Sequence, residues 1–431
     1  MFIIGLFIAL LLLILLGFPI YLVIGIVVIA GYFMTPDLVM AILPQRMFST
    51  LDSFSLLALP YFILTGELMC RGGLSNKLVA FAEKIVGHLR GGLGQASVLS
   101  CMIFANITGS AAASTSAIGS ILIGPMKEKG YKSGFSAALL ATSGIIGSII
   151  PPSMVMIVYG AMAGVSIGGL FLAGILPGIL IVIALMVTVY LHSFSEKFPE
   201  LRNISNRFSM RSVIREIPRV WVAILAPVII LGGILGGIFT ATEAGIVACV
   251  YSFIVSVFIY KTVRFKDLTR ILVNAAVTTT IVVSIISIAG AFGWLLAYLD
   301  FNELVLNALL SFTDNALLTL IILLVIMLTL TMFVESLAIL IIMIPVITYV
   351  GSLYGFNPFY LGMAVIMATQ IGATTPPVAV GLFVATSIAK TDYQQTVRYS
   401  APFILALVAI LILMIAIPEL SVWIPERFLN K

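Results

Sequence analysis

The chain has 431 residues, 61% of them hydrophobic and only 9% charged, with 22 basic and 17 acidic side chains, a net charge of +5 and a mean hydropathy of +1.23. A soluble domain carries roughly 25% charged residues, so this composition excludes one, and the continuous apolar runs exclude an outer-membrane barrel, whose strands alternate. The basic residues lie in short segments between apolar runs, as topology signals do, and do not point to nucleic acid.

From Met1 to Phe33 the chain is apolar, with a kink expected at Gly17-Phe18-Pro19. Met1 to Leu16 has no basic n-region and no small-residue cleavage site, so it reads as a retained helix rather than a signal peptide. Phe54 to Cys70 is a second span, with Glu67 near its end. Leu74 to Leu89 places Leu78, Phe81, Ala82, Ile85 and Val86 on one face and Lys77, Lys84 and His88 on another, which predicts an amphipathic helix lying in the membrane interface. Gln95 to Tyr131 is interrupted by Asn106 and by the small polar run Gly109 to Ser116. Ser133 to Met162 and Gly168 to Leu191 follow as spans.

His192 to Arg219 is the longest polar segment and holds Lys197, Arg202, Arg207, Arg211, Arg215 and Arg219. The positive-inside rule assigns it to the cytoplasm. It divides the chain into a first half (1–191), a basic linker (192–219) and a second half (220–431). In the second half the spans are Trp221 to Gly237, Ala241 to Tyr260, Leu272 to Leu299, Ala316 to Val334, Leu337 to Val350, Phe359 to Ile388 and Ala401 to Trp423. A basic segment, Lys261 to Arg270, separates two of them, and Asp300 and Glu303 read as loop residues.

One phrase occurs twice. Ile146-Gly147-Ser148-Ile149-Ile150-Pro151-Pro152 returns as Ile371-Gly372-Ala373-Thr374-Thr375-Pro376-Pro377, each copy inside an apolar span. Tandem prolines end helices, and broken helices at membrane depth survive only where the freed backbone lines a cavity or a site. A matched pair of breaks, one per half, is the sequence pointer to a secondary transporter's binding site, and such repeats are commonly inverted. The offset that superposes Pro151 on Pro376 also places Ser110 on Glu335. Each half therefore has a polar interruption, an apolar segment, a Pro-Pro break and a further apolar segment.

Pro151 and Pro376 have no N–H, so the carbonyls of Gly147 and Gly372 are expected to lose their helical partners. Carbonyls beside hydroxyls suit a dehydrated Na⁺. The first candidate set is Gly109, Ser110, Ser114, Gly147 and Pro151, with Asn106 in support. The second is Gly372, Thr374, Thr375 and Pro376, with Glu335 and Ser336 facing them. Asn106, Ser116, Glu335 and Ser336 are candidates for substrate contact or gating. Each hydroxyl taken alone could instead serve helix packing or bond its own backbone. Glu335 is the strongest single candidate, because an ionisable group within a span is costly. Glu67 and Glu243 sit nearer span ends, where structural roles are commoner. Cys70, Cys101 and Cys249 lack metal-ligand spacing, Gly164 to Gly168 matches G-x-S-x-G with no strand before it, and no Walker loop is present. Nothing in the chain therefore points to an enzyme.

These residues resemble the large membrane subunit (DctM type) of a tripartite ATP-independent periplasmic, or TRAP, transporter. The likeness rests on Gly109 to Ser114 running to Gly124-Pro125 and Lys129-Gly130-Tyr131, on Ile150-Pro151-Pro152-Ser153 running to Tyr159-Gly160, on Gly237-Ile238-Phe239-Thr240-Ala241-Thr242-Glu243-Ala244, and on Gly372 to Gly381. Ala241 departs from the usual proline, which loosens a helix start. The resemblance implies an all-α polytopic protein of the bacterial inner membrane, with the inverted-repeat elevator fold of the ion-transporter superfamily. It implies two re-entrant hairpins, with Ser110 at the first tip and Glu335 at the second, and interfacial arm helices such as Leu74 to Leu89. It implies Na⁺ as coupling ion, no organic cofactor, a small four-helix (DctQ-type) membrane subunit and a periplasmic (DctP-type) binding protein. The substrate would be an organic acid: a C4-dicarboxylate, a keto acid or a sugar acid such as sialic acid. The competing readings are an autonomous carrier of the same superfamily for citrate, dicarboxylates or Na⁺/H⁺ exchange, and a channel. Uptake without a soluble binding protein would favour the carrier, and a non-saturating flux the channel.

Overall fold

Glycine and proline punctuate this apolar chain, and the computed structural model shows where each punctuation mark stops a helix. It describes residues 2–35, 38–72, 74–202 and 208–429, and among these every regular element is helical. Among the described residues six helices are long and apolar enough to cross a membrane, or up to eight if bent pairs count as one span. The protein is a multi-pass membrane protein.

The first apolar run is two helices, α1 (Phe2–Leu15) and α2 (Ile20–Met34). The chain turns back at Gly17-Phe18-Pro19, so that Leu6 packs against Gly31. The expected kink is a reversal, because Gly17 takes a left-handed φ of +83° and Pro19 offers no N–H. Next come α3 (Ile42–Leu51) and α4 (Ala58–Arg71), whose Glu67 pairs with Arg71 at 3.5 Å. The amphipathic segment forms α5 (Leu74–Val86). Its apolar face, with Leu78 and Ala82 fully buried, is covered by protein from α6 (Gly92–Thr108) and α13 (Met210–Leu235).

α6 and α7 (Ala111–Glu128) form a helical hairpin with a two-residue tip, Gly109-Ser110. Then α8 (Ser133–Gly144) and α9 (Ile146–Ile149) lead to the first Pro-Pro break, beyond which α10 (Met154–Ala163) leaves at a 42° bend. α11 (Ile167–Ala173) and α12 (Ile175–His192) complete this half. Arg207 of the basic segment lies outside the described residues, while Arg211 and Arg215 are already on α13.

α14 (Ala241–Ile254) starts with a capping box in which Glu243 accepts the Thr240 N–H at 2.8 Å. That box secures the helix start that Ala241 would leave loose. α15 (Phe265–Tyr298) runs 34 residues, about 50 Å, so most of the basic segment is helical too. Glu303 sits on α16 (Phe301–Phe312), not in a loop, because Asp300 turns the chain with φ +54° just before it. α17 (Ala316–Thr331) and α18 (Ser336–Tyr354) make the second hairpin. α19 (Pro358–Gly372) leads to the second break and α20 (Val380–Ala389) leaves it. The closing span ends at Ile417-Pro418, which separates α21 (Tyr393–Ala416) from α22 (Glu419–Leu429).

The repeat extends beyond the prolines. The offset that takes Pro151 to Pro376 also takes Ala111, where α7 starts, to Ser336, where α18 starts, and Ser133 of α8 to Pro358 of α19. α8 and α19 are buried along almost their whole length, so the two breaks are delivered by enclosed helices. The arms beyond the breaks then cross over. α10 packs on α18 and α19 of the second half, and α20 packs on α7 and α8 of the first. This exchange puts both breaks and both hairpin tips around one volume, with α2 and α15 against its open side.

Candidate functional site

The first tip turns at Gly109, whose φ of +60° a side chain would disfavour. A Cβ there would also lie 2.7 Å from the Pro152 carbonyl. The Gly109 carbonyl accepts the Met154 N–H at 3.2 Å, which ties the tip to the first break. Ser110 caps α7 through the Ala113 N–H at 3.5 Å. The Ser148 hydroxyl accepts the Ala111 N–H at 3.1 Å, and the Ser153 hydroxyl donates to the Ser148 carbonyl at 2.6 Å. Gly147 lies against the outgoing arm of the tip, where a Cβ would come within 2.5 Å of Ser114 Oγ and 2.7 Å of the Ser110 carbonyl. Ser114 shares a 2.9 Å hydrogen bond with Thr108 across the hairpin. Gly109, Ser110, Ser114 and Gly147 are thus brought together at the break that Pro151 makes. Asn106 is turned onto its own helix, donating to the Met102 carbonyl at 3.2 Å. Ser116 is exposed and is not among the residues that line the cavity described below.

The second tip is longer, Met332 to Glu335, and its register differs for that reason. Glu335 caps α18 as Ser110 caps α7, its Oε2 accepting the Ala338 N–H at 3.0 Å. The Met332 carbonyl accepts the Val378 N–H at 3.1 Å, the counterpart of the Gly109–Met154 bond. Gly372 faces the incoming arm instead of Glu335 and Ser336. A Cβ on it would collide with Thr331 Oγ1 and the Leu328 carbonyl. Ser336 is held by Gln370 Nε2 at 3.1 Å, one turn short of the break. The Gly372 carbonyl is not left free by Pro376, because the chain tightens and the Thr375 N–H reaches it at 2.9 Å. The hydroxyls of Thr374 and Thr375 both donate to the Ile371 carbonyl, at 2.9 and 2.7 Å. A hydroxyl that donates its one proton this way keeps lone pairs for a cation.

Both tips, Ser148 and Met154 beside the first break, and Ala373, Thr374 and Val378 beside the second line one cavity of about 430 Å³, with Tyr21 of α2 and Ile281 and Ile285 of α15 on its outer side. Ser114, Gly147, Pro151, Gly372, Thr375 and Pro376 are not part of that lining. Its polar lining is Ser110, Thr115, Ser148, Thr331, Glu335, Ser336, Gln370 and Thr374. Glu335 is the one charged side chain among the described residues that line it, and it is exposed to the space. Thr108, Thr115, Ser148, Thr331 and Gln370 were not singled out from the sequence. The repeat register could have flagged Thr331, which is the counterpart of Asn106.

The sequence fits the family model described as "Tripartite ATP-independent periplasmic transporter, DctM component" over residues 7–420. The chain belongs to this family. Its relatives include the C4-dicarboxylate TRAP transporter large permease protein DctM of Pseudomonas aeruginosa, 35% identical with 91% of each chain covered. The sialic acid TRAP transporter large permease protein SiaM of Vibrio cholerae is 33% identical, with 90% of each covered. The 2,3-diketo-L-gulonate TRAP transporter large permease protein YiaN of Escherichia coli is 36% identical, again with 90% of each covered. Among solved structures, the YdaH transporter of Alcanivorax borkumensis matches with a TM-score of 0.63 over 91% of this chain and 90% of that one, at 14% identity, which is a likeness of fold. As a DctM-family permease the protein is a transporter, not an enzyme.

Proposed function

We propose that this DctM-family permease carries an organic acid inward across the bacterial inner membrane by Na⁺-coupled secondary transport of the elevator type. The acid would be a C4-dicarboxylate, keto acid or sugar acid, delivered by a periplasmic binding protein, with a small membrane subunit extending the scaffold. The observation that carries this reading is the cavity bounded by both hairpin tips and by residues flanking both Pro-Pro breaks, Ser148 and Met154 at the first and Ala373, Thr374 and Val378 at the second. In this reading the hairpins are re-entrant. Na⁺ sits between Ser110, Ser114 and Gly147 in one half, and between Thr331, Gly372, Thr374 and Thr375 in the other. Main-chain and hydroxyl oxygens at broken helices are the usual ligands for such ions.

The charges in the cavity give Na⁺ a second task. No Lys, Arg or His is among the described residues that line it, and the acidic side chain of Glu335 occupies the N-terminus of α18. In this reading bound Na⁺ holds Glu335 ionised and offsets its charge, so that an incoming carboxylate is not repelled there. The N-terminus of α7, capped only by the neutral Ser110, is the electropositive end left for it. Each Na⁺ that enters gains about 2.3 kcal/mol per 100 mV of membrane potential. Two or more with a monoanion give net inward charge, so the potential drives accumulation. The elements grouped around the breaks form the moving body in this reading, and α2, α4 and α15 belong to the scaffold.

The test is reconstitution of the permease with its small subunit in liposomes. Uptake of a labelled acid is expected only when both an inward Na⁺ gradient and the soluble binding protein are present. Uptake without the soluble protein would instead identify an autonomous carrier, and uptake indifferent to Na⁺ would remove the coupling.

A further inference from the structure

We propose that the open pocket between the ends of α12 and α21 binds the phosphate of an anionic phospholipid. This pocket is separate from the transport cavity and has a volume of about 540 Å³. Lys132, Lys197 and Arg398 line it with His192, Ser195 and Tyr399, and no carboxylate does. Four parts of the chain supply these groups: the N-cap of α8, the end of α12, the segment after it, and the second turn of α21. Their convergence is held by the Lys132 ammonium, which donates to the Lys197 carbonyl at 2.7 Å and lies 4.9 Å from the Phe198 ring. Neither contact neutralises it. Among the described residues none of the three cations is in an ion pair, the salt bridges there being Arg71–Glu67 and Lys129–Glu83.

Three like charges gathered in one concavity without a counter-ion are a binding site for an anion, since mutual repulsion is otherwise unrelieved. The position selects a lipid over a soluble anion. The helices that form the pocket continue away from it with exposed apolar side chains, Val187 and Leu191 on α12 and Leu405 on α21. A headgroup phosphate in the pocket would therefore lead its acyl chains directly onto these faces. Basic pockets between membrane helices on the positive side are suited to such headgroups. The Arg398 guanidinium can hold two phosphate oxygens at once, and the Ser195 and Tyr399 hydroxyls add neutral donors.

The test uses the full chain purified in detergent, with Lys132→Gln, Lys197→Gln and Arg398→Gln made singly and together. An Arg211→Gln/Lys266→Gln/Arg270→Gln variant removes the same charge elsewhere. Native mass spectrometry with phosphatidylglycerol, phosphatidylcholine and inorganic phosphate reads occupancy. The expected result is retention of phosphatidylglycerol over phosphatidylcholine, falling about tenfold or more in the triple pocket variant and little in the displaced control. Each single variant should show part of the loss, so the outcome does not depend on the triple variant folding. Equal loss in both triple variants would reduce the effect to general surface charge and overturn the site. Binding of inorganic phosphate with no preference for the anionic lipid would overturn the lipid assignment.

Discussion

Gly147 and Gly372 show what one methyl group would cost at this site. In each, the position of a Cβ is already filled by an oxygen of the neighbouring hairpin: Ser114 Oγ at 2.5 Å for Gly147, Thr331 Oγ1 for Gly372. Gly147→Ala and Gly372→Ala are each expected to destabilise the protein by about 1–3 kcal/mol through overpacking. Both should also abolish uptake, because the oxygens must shift. Thermal unfolding and uptake, measured together, check this, and wild-type values in either variant would contradict the packing described. Thr331→Val keeps the shape and removes the hydroxyl. It is expected to leave folding intact and to weaken activation by Na⁺ about tenfold or more, with Thr331→Ser restoring it. Equal Na⁺ curves for all three proteins would remove Thr331 from the site. Ser110 was legible in the sequence because a run of small polar residues inside an apolar span is costly unless it lines a cavity or a site. Thr331 was not singled out, because threonines among leucines, here Thr329 and Thr331, read as helix packing; the repeat register sets Thr331 against Asn106, and the facing Gly372 then gives it a place at the break.

At the scale of elements, nearly all helices were legible, since composition and Gly/Pro punctuation fix where they lie. What periodicity could not supply was what each apolar face touches. The face of α5 fits equally well on lipid or on protein, and the structure places Leu78 fully buried beneath α6 and α13. Leu78→Ala is therefore expected to cost about 2–4 kcal/mol, as for a core leucine. A truncation with no effect on the unfolding temperature would instead put that face on lipid. The first apolar run shows the same limit. Gly17 and Pro19 announce an interruption, but whether the chain bends or reverses depends on what α2 packs against. The second tip shows a further one. The proline register correctly aligned Glu335 with Ser110, yet the longer turn moved Gly372 onto Thr331, a shift that no pairwise alignment of motifs contains.

At the scale of the whole molecule, two halves that repeat in sequence exchange their outgoing arms, so neither half alone lines the cavity. α20 reaches α7 and α8, α10 reaches α18 and α19, and the cavity takes its lining from both. The doubled Pro-Pro phrase carried this much in the sequence: two helix breaks, related, one per half. That they share a single space followed only from the crossing arms. If Na⁺ binds at both breaks as proposed, a shared space would let the two sites act on one substrate, and Na⁺ binding at either is expected to favour binding at the other. The most direct measurement is the Na⁺ dependence of uptake by the reconstituted permease, compared among wild type, Ser110→Ala and Thr375→Ala. The account predicts a sigmoidal dependence in the wild type, shifted to higher Na⁺ and flattened towards hyperbolic in each variant. Curves that superimpose for all three proteins would contradict it.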